Sequence, residues 1–213
     1  MTGKLDFKKS DKAFYAGKQA RWDRLTIPAM TFLCITGQGD PNGPTYARAL
    51  AVLYPVAYAI KFAHKARGAD FVVPPLEALW WADDPSVFVS GTRSAWQWTA
   101  QLRLPDDVTQ DDLDTARDNA AAKLSKKGSD TRALAELRHE TRTEGDCLQT
   151  LHIGPYTDEA PTLAHLHDVL MPEQNLTFHG PHHEIYLSDP RRTAPEKLRT
   201  LLRQPVQPVT STG

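Results

Sequence analysis

Two glutamates stand inside aromatic, otherwise apolar segments. Glu77 lies in Pro74-Pro75-Leu76-Glu77-Ala78-Leu79-Trp80-Trp81, and Glu184 in His182-His183-Glu184-Ile185-Tyr186-Leu187-Ser188-Asp189-Pro190. A carboxylate in such surroundings is costly unless it is paired, hydrogen-bonded or used for chemistry. The chemistry open to it is counter-charge for a cation, or general base toward a water molecule. On an extended strand Glu184 and Tyr186 project to one face, and Ile185 and Leu187 to the other. The aliphatic pair fits a helix-covered core, which leaves Glu184 and Tyr186 toward a groove, where the phenol adds a flat surface and a hydroxyl. The alternative is a structural ion pair with Arg191 or Arg192.

Trp80, Trp81, Trp96 and Trp98, four of the five tryptophans, fall within nineteen residues. By strand parity Trp81 shares the face of Glu77 and Trp80 takes the opposite one, an order that a bulge would reverse. Aromatic rings beside carboxylates suit a flat aromatic ligand, cationic ones included, held by stacking and charge pairing. Neither metal nor cofactor is expected. The run His179-Gly180-Pro181-His182-His183-Glu184 resembles no closed zinc site, HExxH is absent, and Cys34 and Cys147 are remote from it. His165 and His167, two apart on a helix, cannot chelate together. GxSxG, Walker and GxGxxG patterns are absent as well.

The elements that must position these residues follow from pattern. Ile27–Ile35 reads as a buried strand, ending at the turn Gly37-Gln38-Gly39-Asp40-Pro41-Asn42-Gly43. Tyr46–Ala66 has helical spacing, with Pro55 expected to kink or split it. Phe71–Val73 and the Glu77 segment read as strands, and Ser94–Leu102 alternates. Thr109–Lys126 reads as a helix capped by Thr109 and opened by Asp111 and Asp112. Strands are expected at Ala135–Thr141 and Cys147–Ile153, separated by a turn at Glu144-Gly145-Asp146. A helix over about Glu159–Leu170, the Glu184 strand and a short terminal helix complete the chain.

The two halves rhyme: each has a strand, a Gly/Pro/Asp turn, a helix, then a strand bearing glutamate and an aromatic. This predicts an α+β fold of two duplicated modules related by a pseudo-twofold axis, with a ligand cleft between the repeats. The expected organisation is an arm over residues 1–20 and one domain over 21–206. Within it, repeat one covers about 27–104, repeat two about 132–190, and the terminal helix 195–203. Residues 207–213 form a loose tail.

Composition narrows the function classes. With 213 residues, 40% hydrophobic and 24% charged, the chain can bury a substantial core. The net charge of −1 gives no overall footprint for nucleic acid. Residues 1–67 hold 11 Lys/Arg against 4 Asp/Glu, and the remainder 14 against 22, an imbalance that reads as a solvated basic face. No apolar run approaches membrane-spanning length, and the polar start Met1-Thr2-Gly3-Lys4-Leu5-Asp6 has no hydrophobic leader core. A cytoplasmic location, reduced thiols at Cys34 and Cys147, and a monomer or homodimer without membrane or nucleic-acid partners are the expectations.

Several stretches carry a resemblance to a known family. They are Gly37-Gln38-Gly39-Asp40-Pro41-Asn42, Ala59-Ile60-Lys61-Phe62, Pro75-Leu76-Glu77-Ala78-Leu79-Trp80-Trp81, Trp96-Gln97-Trp98-Thr99, His152-Ile153-Gly154-Pro155-Tyr156, and His182 through Arg192 continuing into Pro195-Glu196-Lys197-Leu198. Together they resemble the GyrI-like small-molecule-binding family, in its stand-alone branch without a DNA-binding domain. The resemblance implies a duplicated strand-helix-strand-strand fold, that of multidrug-sensing effector-binding domains, with an aromatic cleft between the repeats and a central glutamate. Some members of the branch look like cyclopropanoid cyclopropyl hydrolases, which open the strained ring of planar DNA-alkylating compounds with water. It further implies Glu184 as the cleft glutamate, with Glu77, Trp80, Trp81, Trp98, Tyr156 and Tyr186 as its ligand-binding companions; in ring opening Glu184 is the expected general base and the Tyr156 hydroxyl the expected donor to the developing phenolate. Ala78 stands where the family usually has glycine. The alternative function is sequestration or sensing of a planar aromatic molecule without turnover.

Overall fold

The computed structural model describes residues 3–210, and the last three residues of the expected tail lie outside them. The chain divides into two compact units, one formed by Ala29–Arg142 with the N-terminal segment up to Ser10, the other by Asp11–Pro28 with the chain from Thr143 onward.

The first unit contains α1 (Phe7–Ser10), most of β1 (Asp23–Gln38), α2 (Pro44–Ala66), β2 (Glu77–Trp81), α3 (Ser86–Ser90), β3 (Gln97–Leu104), α4 (Gln110–Ser125) and the start of β4 (Arg138–Ile153). β3 is the central strand of an antiparallel trio. Thr31–Gln38 of β1 pairs with it on one side, and β2 pairs on the other with Glu77 opposite Gln101 and Trp81 opposite Gln97. Helix α2 starts with Pro44 at its first position, where a missing N–H costs nothing. It continues as one 23-residue helix through Pro55, so the expected split does not occur. A buried stripe of Tyr46, Ala49, Val52, Leu53, Val56, Ala57 and Ile60 runs along it on both sides of the proline; anchoring of this kind offsets the lost backbone bond.

Helix α4 begins as its sequence dictates. The Thr109 hydroxyl accepts from the Asp112 N–H, and the Asp112 carboxylate accepts from the Thr109 N–H, a reciprocal capping box. The expected strand at Phe71–Val73 is reduced to a single bridge between Leu5 and Phe71.

The second unit holds the end of β4, α5 (Ala160–His165), a π-helical turn over Leu166–Leu170, α6 (Met171–Glu173), β5 (Leu176–Phe178), β6 (His182–Tyr186) and β7 (Arg199–Pro208). Here β7 is central. It pairs antiparallel with Cys147–Ile153 of β4 on one side and with β6 on the other, and β5 joins its far end. Two expectations fail. The segment expected as a terminal helix is a short 3₁₀ turn, Pro195–Lys197, followed by β7, which takes in most of the rest of that segment and the first two residues of the expected tail. Residues 200–206 are all buried, and a central strand covered on both faces loses the alternation that marks a strand in sequence. Likewise β4 runs unbroken from Arg138, with the expected turn absorbed by Gly145 at φ +70°, a left-handed step that glycine tolerates.

Candidate functional site

In the second unit, the register sets Glu184 opposite Leu202 and Tyr186 opposite Thr200, so both side chains share one face of the sheet. Both are half-buried, whereas His183 and Ile185, which alternate with them, are fully buried. The alternation read from sequence is therefore present, but the covers differ from expectation. The helical segment from α5 to α6 lies on the face of Glu184, where Leu166 and Met171 pack with Leu148 and Val206. The Ile185 face is closed instead by the N-terminal stretch. Gly17 rests so near Leu201 and the Leu151 backbone that a Cβ there would meet Leu201 Cδ2 at 3.0 Å.

The turn that leads into α5 brings the phenol of Tyr156 edge-on to Tyr186, with ring centroids 5.7 Å apart and planes at 79°. His152 fixes this turn through a 3.1 Å contact between Nε2 and the Pro155 carbonyl. Tyr156 is 40% exposed. Burial of its hydroxyl, then the charges of Glu184, Glu159 and Asp189, push its pKa up to about 12. It is thus a proton donor throughout the physiological range.

Glu159, at the start of α5, was not singled out by sequence. It is 5% exposed, and its Oε1 is buried with no hydrogen-bond partner among the described residues. Burial first, and the charge of Glu184 second, raise its pKa to about 9. Its carboxyl is neutral at pH 7 while it stands in the field of Glu184. An acid at a helix start ordinarily reads as a solvated partner of the helix dipole, so sequence held no signal for its burial. His182 Nε2 lies 3.8 Å from Glu184 Oε1. Burial, then His167 and His183, hold the His182 ring down to about 3, so it is neutral and the contact is not an ion pair. Arg191 forms a two-point pair with Asp189, at 2.9 Å through each of its two nitrogens.

The reverse face of β6 explains what holds Glu184 in place. His183 Nδ1 lies 2.7 Å from Glu144 Oε1, Arg203 donates to Glu144 Oε2 at 2.8 Å and to Gln149 Oε1 at 2.8 Å, and its other nitrogen donates to the Phe14 carbonyl at 2.7 Å. Burial alone would raise the Glu144 pKa, but His183 and Arg203 together bring it down to about 2. This network is fully buried, and it pins the strand one residue before Glu184.

In the first unit the candidate residues separate by face. Glu77, Leu79 and Trp81 share theirs with Gln101, Thr99 and Gln97. Glu77 is 2% exposed and accepts from Gln101 Nε2 at 3.4 Å, and Gln101 Oε1 accepts from Arg142 at 2.8 Å. Arg142 in turn pairs with Glu140 at 2.5 Å, and Arg138 also pairs with Glu140, at 2.8 Å. Trp81 donates through Nε1 to Gln97 at 3.0 Å. Trp80 and Trp98 are on the helix-covered face, both buried, and Tyr46 of α2 stacks on Trp80 and meets Trp98 edge-on. Trp96 and Phe88 extend this cluster to the surface, and Phe88 and Tyr46 are aromatic members that sequence had not joined to it. Trp98 lies directly across Gly37, where a Cβ would come within 2.4 Å of the indole ring.

Among the described residues, no group of three or more His, Cys, Asp or Glu side chains is arranged to hold a metal ion. No helix among them is long and apolar enough to cross a membrane. Cys34 and Cys147 are buried free thiols, each pushed up to about 12 by burial.

Comparison with known proteins fits this architecture. A protein of Listeria innocua of known structure shares 42% identity at a TM-score of 0.86, covering 96% of this chain and all of the other. A hydrolase from Listeria innocua shares 41% identity at a TM-score of 0.81, with the same coverage. The C-terminal domain of EcmrR, at 10% identity and a TM-score of 0.56 over 89% of this chain and 98% of that one, is alike in fold alone. A search of curated proteins returned no match. Residues 24–207 match the GyrI-like small molecule binding domain, and the chain belongs to that family.

Proposed function

We propose that this protein binds planar aromatic small molecules and hydrolyses cyclopropanoid DNA-alkylating compounds by opening their strained ring. One observation carries the reading: Glu184 and Tyr186 share a half-buried sheet face, and Tyr156, a protonated phenol within the field of Glu184, stands edge-on to Tyr186. A Listeria innocua relative at 41% identity is described as a hydrolase, which supports a hydrolytic role without naming a substrate.

The tyrosine rings supply flat contact and orient the guest. Glu184 takes a proton from a water molecule as that water's oxygen bonds to the cyclopropane methylene. The methylene–ring carbon bond breaks, and its electron pair passes through the conjugated system to the carbonyl oxygen, which becomes a phenolate. Tyr156 donates a hydrogen bond to that oxygen as its charge develops. The phenolate then takes up a proton, Glu184 releases one, and the net change is addition of one water. General base catalysis supplies roughly 10²–10⁴-fold, and relief of ring strain supplies driving force. Mixing the protein with a cyclopropanoid and following the products by mass spectrometry tests the proposal. The water adduct should form catalytically. Quenching of tryptophan fluorescence with intact compound recovered would instead establish sequestration.

A further inference from the structure

Glu159 has no part in the steps above, yet it is a buried acid within the field of the proposed base. It follows directly on the turn bearing Tyr156, and its side chain is almost entirely removed from solvent. One carboxyl oxygen is buried with no hydrogen-bond partner among the described residues, an arrangement that a charged carboxylate does not tolerate. The charge that acts on it is itself acidic. Glu184 acts on it from β6, Tyr156 from the preceding turn senses both acids, Asp189 beyond β6 acts on Tyr156, and His182 two residues before Glu184 is neutral. None of these offers a positive charge that would let Glu159 ionise alongside Glu184.

We propose that Glu159 and Glu184 form a one-proton carboxyl pair, in which Glu159 keeps the proton and Glu184 carries the charge. Glu159 is a positioning residue, acting through Glu184. By staying neutral it adds no second charge to that of Glu184, which suits neutral or cationic planar guests. A second charge there would oppose the phenolate that ring opening creates. The proposal rests on Glu184 being the base, but its proton can be observed without turnover. The two protons of such a pair belong to it jointly, and the second leaves only as the pH approaches about 9.

Infrared difference spectroscopy on the full chain tests the pair. Wild type minus Glu159→Gln at pH 7 should show the carbonyl stretch of a protonated carboxylic acid, and that band should vanish as the pH rises through about 9. In Glu184→Gln the midpoint should fall by about one pH unit or more, because the neighbouring charge is gone. Absence of the band at pH 7, or a midpoint unmoved by Glu184→Gln, overturns the proposal. Should Glu159→Gln fail to fold, ¹³C-carboxyl glutamate labelling of the wild type reports the same titration by NMR. A kinetic arm separates positioning from mere scaffolding: kcat on a cyclopropanoid should fall in wild type above about pH 9 and lack that fall in Glu159→Gln. A parallel loss at every pH would contradict it. A protein that shows the band but hydrolyses nothing loses the hydrolase reading and keeps the pair.

Discussion

Glu77 and Glu184 are the same residue type in matching contexts, each on a short strand next to a central one, yet their surroundings differ in kind. Glu77 accepts from the Gln101 amide, which is bonded to Arg142, and the chain goes on to Glu140 and Arg138. Glu184 has a tyrosine pair and a neutral acid around it. Burial alone does not distinguish them, since Glu77 is the more buried. The described neighbours do. Glu77 is held in a chain of amide and guanidinium hydrogen bonds, which suits a structural role. Glu184 stands among phenols and a second acid, the setting on which the proposed chemistry rests.

Substitutions should sharpen this contrast in order of size. Glu184→Gln should lower kcat on a cyclopropanoid by roughly 10²–10⁴-fold with ligand quenching retained, measured by initial rates beside fluorescence titration. Tyr156→Phe should cost about 10²-fold in kcat with a smaller change in KM, because the hydroxyl acts on charge that develops late. Gly37→Ala tests the first unit through its aromatic cluster. With a Cβ forced to 2.4 Å from the Trp98 ring, the protein should lose about 1–3 kcal/mol in denaturant unfolding. Glu77→Gln should be mildest, at about 1 kcal/mol of stability, since an amide can still meet Gln101. A larger effect on turnover from Glu77→Gln than from Tyr156→Phe would break the comparison.

Much of the frame was legible in the sequence where local rules and tertiary structure agree. Thr109 and Asp112 announce the start of α4, and the alternation around Glu184 gives the correct faces of β6. The strand parity of Trp80 and Trp81 matches the register against Trp98 and Gln97. Legibility ended where covering elements decide. β7 carries its burial on both faces, which erased the period of two and imitated a helix. The face of β6 chosen by the helix could not be read from β6, because Gly17 and its neighbours seal the aliphatic side as well as a helix would. Glu159 was invisible for a related reason: acids at helix starts are common, and only the fold shows that this one is dry.

The most direct test places the two glutamates side by side. Initial rates of cyclopropanoid ring opening are measured for wild type, Glu184→Gln and Glu77→Gln at pH 7, each shown folded by its unfolding transition. We expect Glu184→Gln to lose at least about 100-fold while Glu77→Gln stays within about tenfold of wild type. Equal losses in the two variants, or full activity in Glu184→Gln, would contradict the assignment of the chemistry to β6.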